Sequence, residues 1–491
     1  MKLLSNDYNR TTGLYLIVST IWLLLGVVIR LVNELQLVTF APGTDTLFHY
    51  GYLRPIGANI LIFGGFLGYF FALGYQIIHA RASFRVDLAG QAALGIHQLG
   101  LIVGTITILS GYNTGREYGE YTWIVDNLFM VVFTIFLVLL LISLWGKEDI
   151  KVYEKFAAAT IGGMLVFYFL GNFGMPNALL ESTSPTSGAQ DAMVAEMYRN
   201  AVLTFFVLFP LFTMGYYWVE KHYELPIYSE ATAHFQIVAG AILIPLAAGN
   251  ALLGTADAKI LQEIGTGGAL ALTISLLAGV ANIHYSLSRS GKNVQSDQDG
   301  KAIRWGLILI GTYLVIRFLL QIPLIGSNFR YMAWNNQDVY FVASTVALPV
   351  ALGSAYLLLG YWKQASTNKG LKRLANFFLY IGIILVLLGS FSQGWLQAHA
   401  ASSITGEGAD QALAVKDWSH VLFAGSLEFN DTKAIANALF QYLYSLYSLV
   451  LLGQIMVVLG VFSGSLAVLL GSSGKAAQYS RPTLFAESSS H

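Results

Sequence analysis

Residues Ser187 to Val202 read SGAQDAMVAEMYRNAV. Small and polar residues, with Asp191 and Glu196 among them, give way at the end of this run to a continuous apolar stretch, LTFFVLF, at 203–209. The change predicts a polar external loop entering a hydrophobic helix of about 199–219, close to the roughly 20 residues a bilayer crossing requires. Arg199 stands at the mouth of that helix. A guanidinium keeps its positive charge and has no lone pair to give a metal ion.

The same alternation recurs along the chain. Apolar segments of spanning length fall at about 13–33, 55–78, 89–110, 122–146, 155–175, 199–219, 233–254, 264–288, 304–326, 340–362, 373–395 and 435–470. Only 11% of the 491 residues are charged and 55% are hydrophobic, against about 25% charged in an average soluble domain. Mean hydropathy is +0.60. In hydrocarbon every backbone amide must be paired within its own segment, so the twelve segments read as helices of one all-α polytopic membrane domain spanning 1–491. The overlong last segment predicts tilt or a helix continuing past the bilayer.

Cysteine is absent, which excludes disulfides, thiolate metal sites and cysteine nucleophiles. A net charge of zero gives no reason to expect a nucleic-acid partner. Lys and Arg concentrate at the termini and in the loops after even-numbered segments, as at Lys147/Lys151/Lys155 and Lys363/Lys369/Lys372/Arg373. By the positive-inside rule both termini are cytoplasmic, with longer outside loops at about 176–195 and 396–434 and a cytoplasmic tail at about 471–491. The first apolar run is long enough to span and stay, so no cleaved signal peptide is expected.

Several separated motifs, in order, resemble the catalytic subunit I of cytochrome cbb3-type oxidases, the C family of haem–copper oxidases. Segment 2 opens Leu53-Arg54-Pro55-Ile56-Gly57, similar to the family's opening before a histidine that ligates the low-spin haem; that position is Gly57 here. Gly115-Arg116-Glu117-Tyr118-Gly119-Glu120, with Trp123 and Asp126 following, resembles the segment beside the haem propionates. Ser392-Gln393-Gly394-Trp395 is also family-like. The resemblance implies a twelve-helix fold over most of the chain.

It also implies ligands that this sequence lacks. The family's histidine–valine–histidine in segment 10, one ligand for each haem, reads Asp338-Val339-Tyr340. Its copper-binding histidines align with Arg199, Asn250 and Ala251, and its cross-linked tyrosine falls near Ile244. A glutamate before Pro323 becomes Gln321, and the hydroxylic residues preceding it become Val315, Phe318 and Leu319. Haem iron takes an axial nitrogen, sulfur or phenolate, and copper in such a site takes imidazoles. Asn, Ala and Arg supply none of these. Tyr340 is the one replacement able to ligate haem, and Asp338 suits only a hard cation. The expectation is therefore no catalytic residue, no bound haem, copper or other metal, and no cofactor. His97, His234 and His284 lie within predicted segments and read as packing or hydrogen-bonding residues.

A charge inside a bilayer costs roughly 2.5–3.5 kcal/mol on insertion scales and is usually paired or functional. Arg199, Arg317, Gln321 and Asp338 are the polar candidates for the cofactor cavity, with Arg199 or Arg317 expected to pair with Asp338. In the Gly115–Asp126 segment, where the family's carboxylate helps to hold calcium, a retained loop without metal is expected. Because function lives in sites and not in folds, the expected role is a non-catalytic subunit. It would scaffold c-type cytochrome or other redox subunits in a hetero-oligomeric respiratory complex of the bacterial cytoplasmic membrane, in contact with lipid. The alternatives are transport of an ion, proton or small solute through the vacated cavity, and an oxidase or nitric oxide reductase with relocated haem ligands.

Overall fold

The structure, a computed structural model, describes residues 10–39, 49–82, 86–253, 255, 258–289, 297–326, 339–363, 367–404 and 430–471. Its helices run α1 Arg10–Thr39, α2 Tyr50–Arg81, α3 Asp87–Leu109, α4 Trp123–Leu144, α5 Val152–Asn172, α6 Gly188–His222 and α7 Glu230–Leu252. There follow α8 Lys259–Ser288, α9 Gln298–Gln321, α10 Val339–Ser344, α11 Leu348–Lys363, α12 Lys369–Ile404 and α13 Asn430–Leu469. A two-residue hairpin, Met175–Pro176 against Ser182–Thr183, joins α5 to α6.

Ten of these helices are long and apolar enough to cross a membrane, against twelve expected. The difference lies at the fifth and tenth segments. Helix α5 carries Glu154 and Lys155 in its first turn and ends on Asn172, which dilutes an otherwise apolar run. The tenth segment is broken into α10 and α11. Pro349 stands in the first turn of α11, where its missing N–H is harmless but where it bars a continuous helix from α10. The stretch 176–195, expected as an outside loop, contains the hairpin and the first turns of a helix. Helix α6 already begins at Gly188, with Asp191 in its first turn, where a carboxylate suits the positive end of the helix dipole. Of the other predicted outside loop, residues 405–429 lie outside the described residues.

Helices α2 and α6 are enclosed by the rest, and their most apolar stretches are buried along their whole length. These stretches are accordingly hydrophobic on every face. Each contains a π-helical stretch, Ile60–Phe66 in α2 and Val202–Leu208 in α6. The two stretches pack together, with Phe63 and Phe206 ring centroids 5.5 Å apart. Around them α1 packs on α2 and α13, α12 pairs with α13, and α7 crosses α8.

Candidate functional site

Gly57 and Tyr340 are brought together by the first half of α2 and by α10. Pro55 falls early in α2, and His49 caps the helix by accepting the Gly51 N–H at 3.0 Å. Gly57 faces α10, which packs on the same helix. A Cβ added to Gly57 would lie 2.4 Å from the Tyr340 hydroxyl and 2.7 Å from Ile29 Cγ2. Tyr340 is 1% exposed. Gly57 and Tyr340, two of the positions at which the resemblance implies haem ligands, face each other and are in contact. A porphyrin with its two axial bonds has no space between them, so the residues present do not fit a haem there. Asp338 lies outside the described residues.

Helix α1 supplies residues that the sequence reading did not single out. Arg30 and Glu34 form an ion pair, 6% and 3% exposed. The Arg30 guanidinium carbon lies 4.9 Å from the Tyr340 ring centroid. Buried Asn33 approaches the Tyr340 hydroxyl at 3.5 Å. An Arg and a Glu spaced i,i+4 in an apolar run is the signal that could have found them.

The Gly115–Glu120 loop holds the same region from the hairpin end of the bundle. Tyr118, at φ +63°, accepts the Tyr340 N–H on its hydroxyl at 3.2 Å. Tyr198 donates to the Tyr118 carbonyl at 3.2 Å. Glu117 pairs with Arg54, while Arg116 pairs with Asp191 and donates to the Gly171 carbonyl. Glu120 is buried and accepts from Asn59 Nδ2 at 2.7 Å. Burial pushes its carboxyl up to about 7, the Asn59 hydrogen bond opposing this. Asp126 accepts from Tyr168 at 2.7 Å. A cavity of about 240 Å³ opens beside the loop, lined by Thr114, Glu117, Ser182, Ser184 and Asp191. Among the described residues, no three His, Asp or Glu side chains gather where they could hold a metal ion.

The implied copper positions also converge. The first part of α6, with Arg199, packs against the turn Ala248–Leu252 that ends α7 and contains Asn250 and Ala251. There α7 and α8 touch through their backbones: a Cβ on Gly265 would lie 2.1 Å from Asn250 N, and one on Gly249 2.2 Å from the Leu261 carbonyl. A guanidinium, an amide and a methyl group do not fit copper.

A polar chain runs outward from this place. Arg199 pairs with Glu196 at 2.5 Å, and Asn200 donates to the Glu196 carboxylate at 3.1 Å. Arg317 donates to Asn200 Oδ1 at 2.8 Å. With its nitrogen toward α8, the Gln321 amide donates to Thr273 Oγ1 at 2.8 Å and accepts from Arg317 Nε at 3.3 Å. Arg199, Arg317 and Gln321, three of the four polar candidates, share one network; the expected pairing with Asp338 falls outside the described residues. Val315 and Leu319 are 47% and 44% exposed on the outer side of α9, so they do not line an interior route.

His97 has both ring nitrogens engaged. Gln98 Nε2 approaches Nδ1 at 3.3 Å, and Trp22 donates to Gln98 Oε1 at 2.6 Å. This order makes Nε2 the protonated nitrogen, donating to the Phe63 carbonyl at 3.0 Å. Phe63 lies in the π-helical stretch of α2, where the ordinary carbonyl pairing is shifted.

Residues 10–427 match the family model for cytochrome c and quinol oxidase polypeptide I. Cytochrome c oxidase subunit 1 of Rhodobacter capsulatus is 24% identical over 421 residues, 81% of this chain and 78% of that protein. The cbb3-type cytochrome c oxidase subunit CcoN1 of Stutzerimonas stutzeri is 24% identical over 372 residues, 73% of this chain and 77% of that protein. The fold matches a haem–copper terminal oxidase dimer solved by cryo-electron microscopy, with TM-score 0.65 and 11% identity over 97% of this chain and 86% of that one. The resemblance seen in the Leu53–Gly57 and Gly115–Glu120 motifs therefore holds across most of the chain, and this multi-pass membrane protein is a member of the cytochrome c and quinol oxidase polypeptide I family.

Proposed function

We propose that this chain is a non-catalytic, cofactor-free subunit that anchors c-type cytochrome or other redox subunits of a hetero-oligomeric complex in a bacterial cytoplasmic membrane. One observation carries the reading: family architecture extends over nearly the whole chain, yet Gly57 touches the Tyr340 hydroxyl where a haem would stand. Support comes also from Arg199, Asn250 and Ala251 at the copper positions, which offer copper no donor it prefers. The relatives are named as subunits of cytochrome c oxidases, which favours an assembly over a solitary protein. With both termini cytoplasmic, the hairpin, the Gly115–Glu120 loop and the cavity beside it face outward. That is the side from which extracytoplasmic redox domains would dock.

Purification from native membranes in mild detergent, followed by in-gel haem staining, tests the proposal. The expected outcome is co-elution with a polypeptide carrying covalent c-type haem, and no haem on this chain. Recovery of a solitary chain with no redox partner contradicts it.

A further inference from the structure

We propose that Tyr340 is a built plug, held by the buried Arg30–Glu34 pair, that excludes porphyrin from the low-spin haem slot by packing. The inference deepens the cofactor-free reading and rests on it: haem is barred by filled space as well as by missing ligands.

Three elements hold the plug. From α2, Gly57 gives the hydroxyl its room, since any Cβ there would collide with it at 2.4 Å. From α1, Arg30 covers the ring at 4.9 Å and Asn33 reaches the hydroxyl. Glu34 neutralises Arg30 where neither is open to solvent. From the Gly115–Glu120 loop, the Tyr118 hydroxyl accepts the N–H of Tyr340 at 3.2 Å.

An arginine over an aromatic face gains most when desolvated, and an ion pair so deeply buried is stable only while both members remain. Such a cluster is expensive to carry in a membrane. Mere loss of a histidine would leave space for lipid tails or apolar side chains. Here the space holds a phenol under a guanidinium that is itself paired with a carboxylate. Arg30 and Glu34 are thus positioning residues for Tyr340.

Two measurements on the full chain in detergent test this. The first is a double-mutant cycle read as apparent melting temperature: Gly57→Ala, Tyr340→Phe and the double variant. Gly57→Ala is expected to lower the midpoint by a few degrees, and Tyr340→Phe to recover much of that loss by removing the hydroxyl. An additive cycle would show that the two do not touch and would overturn the plug. The second uses metal-free protoporphyrin IX, which reports space without any need for an axial ligand. The wild-type chain is expected to show no saturable binding, whereas Tyr340→Ala opens a one-to-one site. Stoichiometric binding by the wild type, or none by a folded Tyr340→Ala chain, overturns the plug. Neither outcome depends on whether a redox subunit co-purifies, so failure of the scaffold role is read separately.

Discussion

The two regions where the family resemblance places oxidase ligands are occupied in opposite ways. At Gly57 and Tyr340 the gap is closed by direct contact, with a side chain from α10 seated against the backbone of α2. At Arg199, Asn250 and Ala251 the helices meet, but a polar chain through Glu196, Asn200, Arg317, Gln321 and Thr273 leads away from the position. The first replacement depends on shape and one sealed ion pair. The second is a graded network of hydrogen bonds, partly open to its surroundings. The two ligand positions are therefore occupied by different kinds of contact. One position, between α2 and α10, is closed by a side chain against a backbone, whereas the other, where α6 meets the end of α7, carries charge that is paired off sideways.

The contrast predicts unequal sensitivity to substitution. The largest effect is expected at the sealed pair. Arg30→Ala leaves Glu34 buried without its partner and should cost about 3–5 kcal/mol of stability, read by chemical or thermal unfolding in detergent. Replacing both residues with Met should restore most of it, because an apolar pair of similar volume is close to neutral. A mild Arg30→Ala phenotype would place the plug on the same footing as the polar chain and erase the distinction.

Next comes a pH dependence at the plug's outer support. The Glu120 carboxyl is raised from 4.5 to about 7 by burial. The folded state therefore holds a proton that the unfolded chain has already released between those values. The stability tied to this group is fully present below pH 4.5 and is lost as pH rises through 7, each pKa unit counting about 1.4 kcal/mol. Glu120→Gln should flatten the slope of stability against pH in that window. An unchanged slope would detach Glu120 from the region.

Smaller effects belong to the polar chain. Arg317→Ala removes the donor to Asn200 and Gln321 and should cost about 1–3 kcal/mol. Thr273→Val, at the far end of the chain, should cost about 1 kcal/mol. Because these residues share partners, the double variant should be less than additive. Strict additivity would show that the chain is a set of independent contacts.

Much of the architecture is legible in the sequence for simple reasons. Low charge, long apolar segments and cationic loops fix a helical membrane bundle before any family is considered. The boundary errors have equally simple causes. The start of α6 is hidden because its first two turns are polar, including Asp191, and hydropathy alone ends a helix where polarity begins. The break between α10 and α11 was carried by a single residue, Pro349, inside an otherwise apolar run. Of the site, the ligand positions Gly57 and Tyr340 are legible through the flanking motifs, which hold their order. Contact between them is not, since it depends on how two segments nearly three hundred residues apart come to meet. Arg30, Asn33 and Glu34 escape notice because they lie in a segment to which the resemblance assigns no ligand.

The most direct test of the cofactor-free account is the haem content of the purified chain, separated from any partner and measured by pyridine haemochrome and reduced-minus-oxidised spectra. The account predicts no haem band above the level of the detergent blank. One mole of haem per mole of chain, with a Soret band that shifts on reduction, would contradict it and return the protein to the redox enzymes.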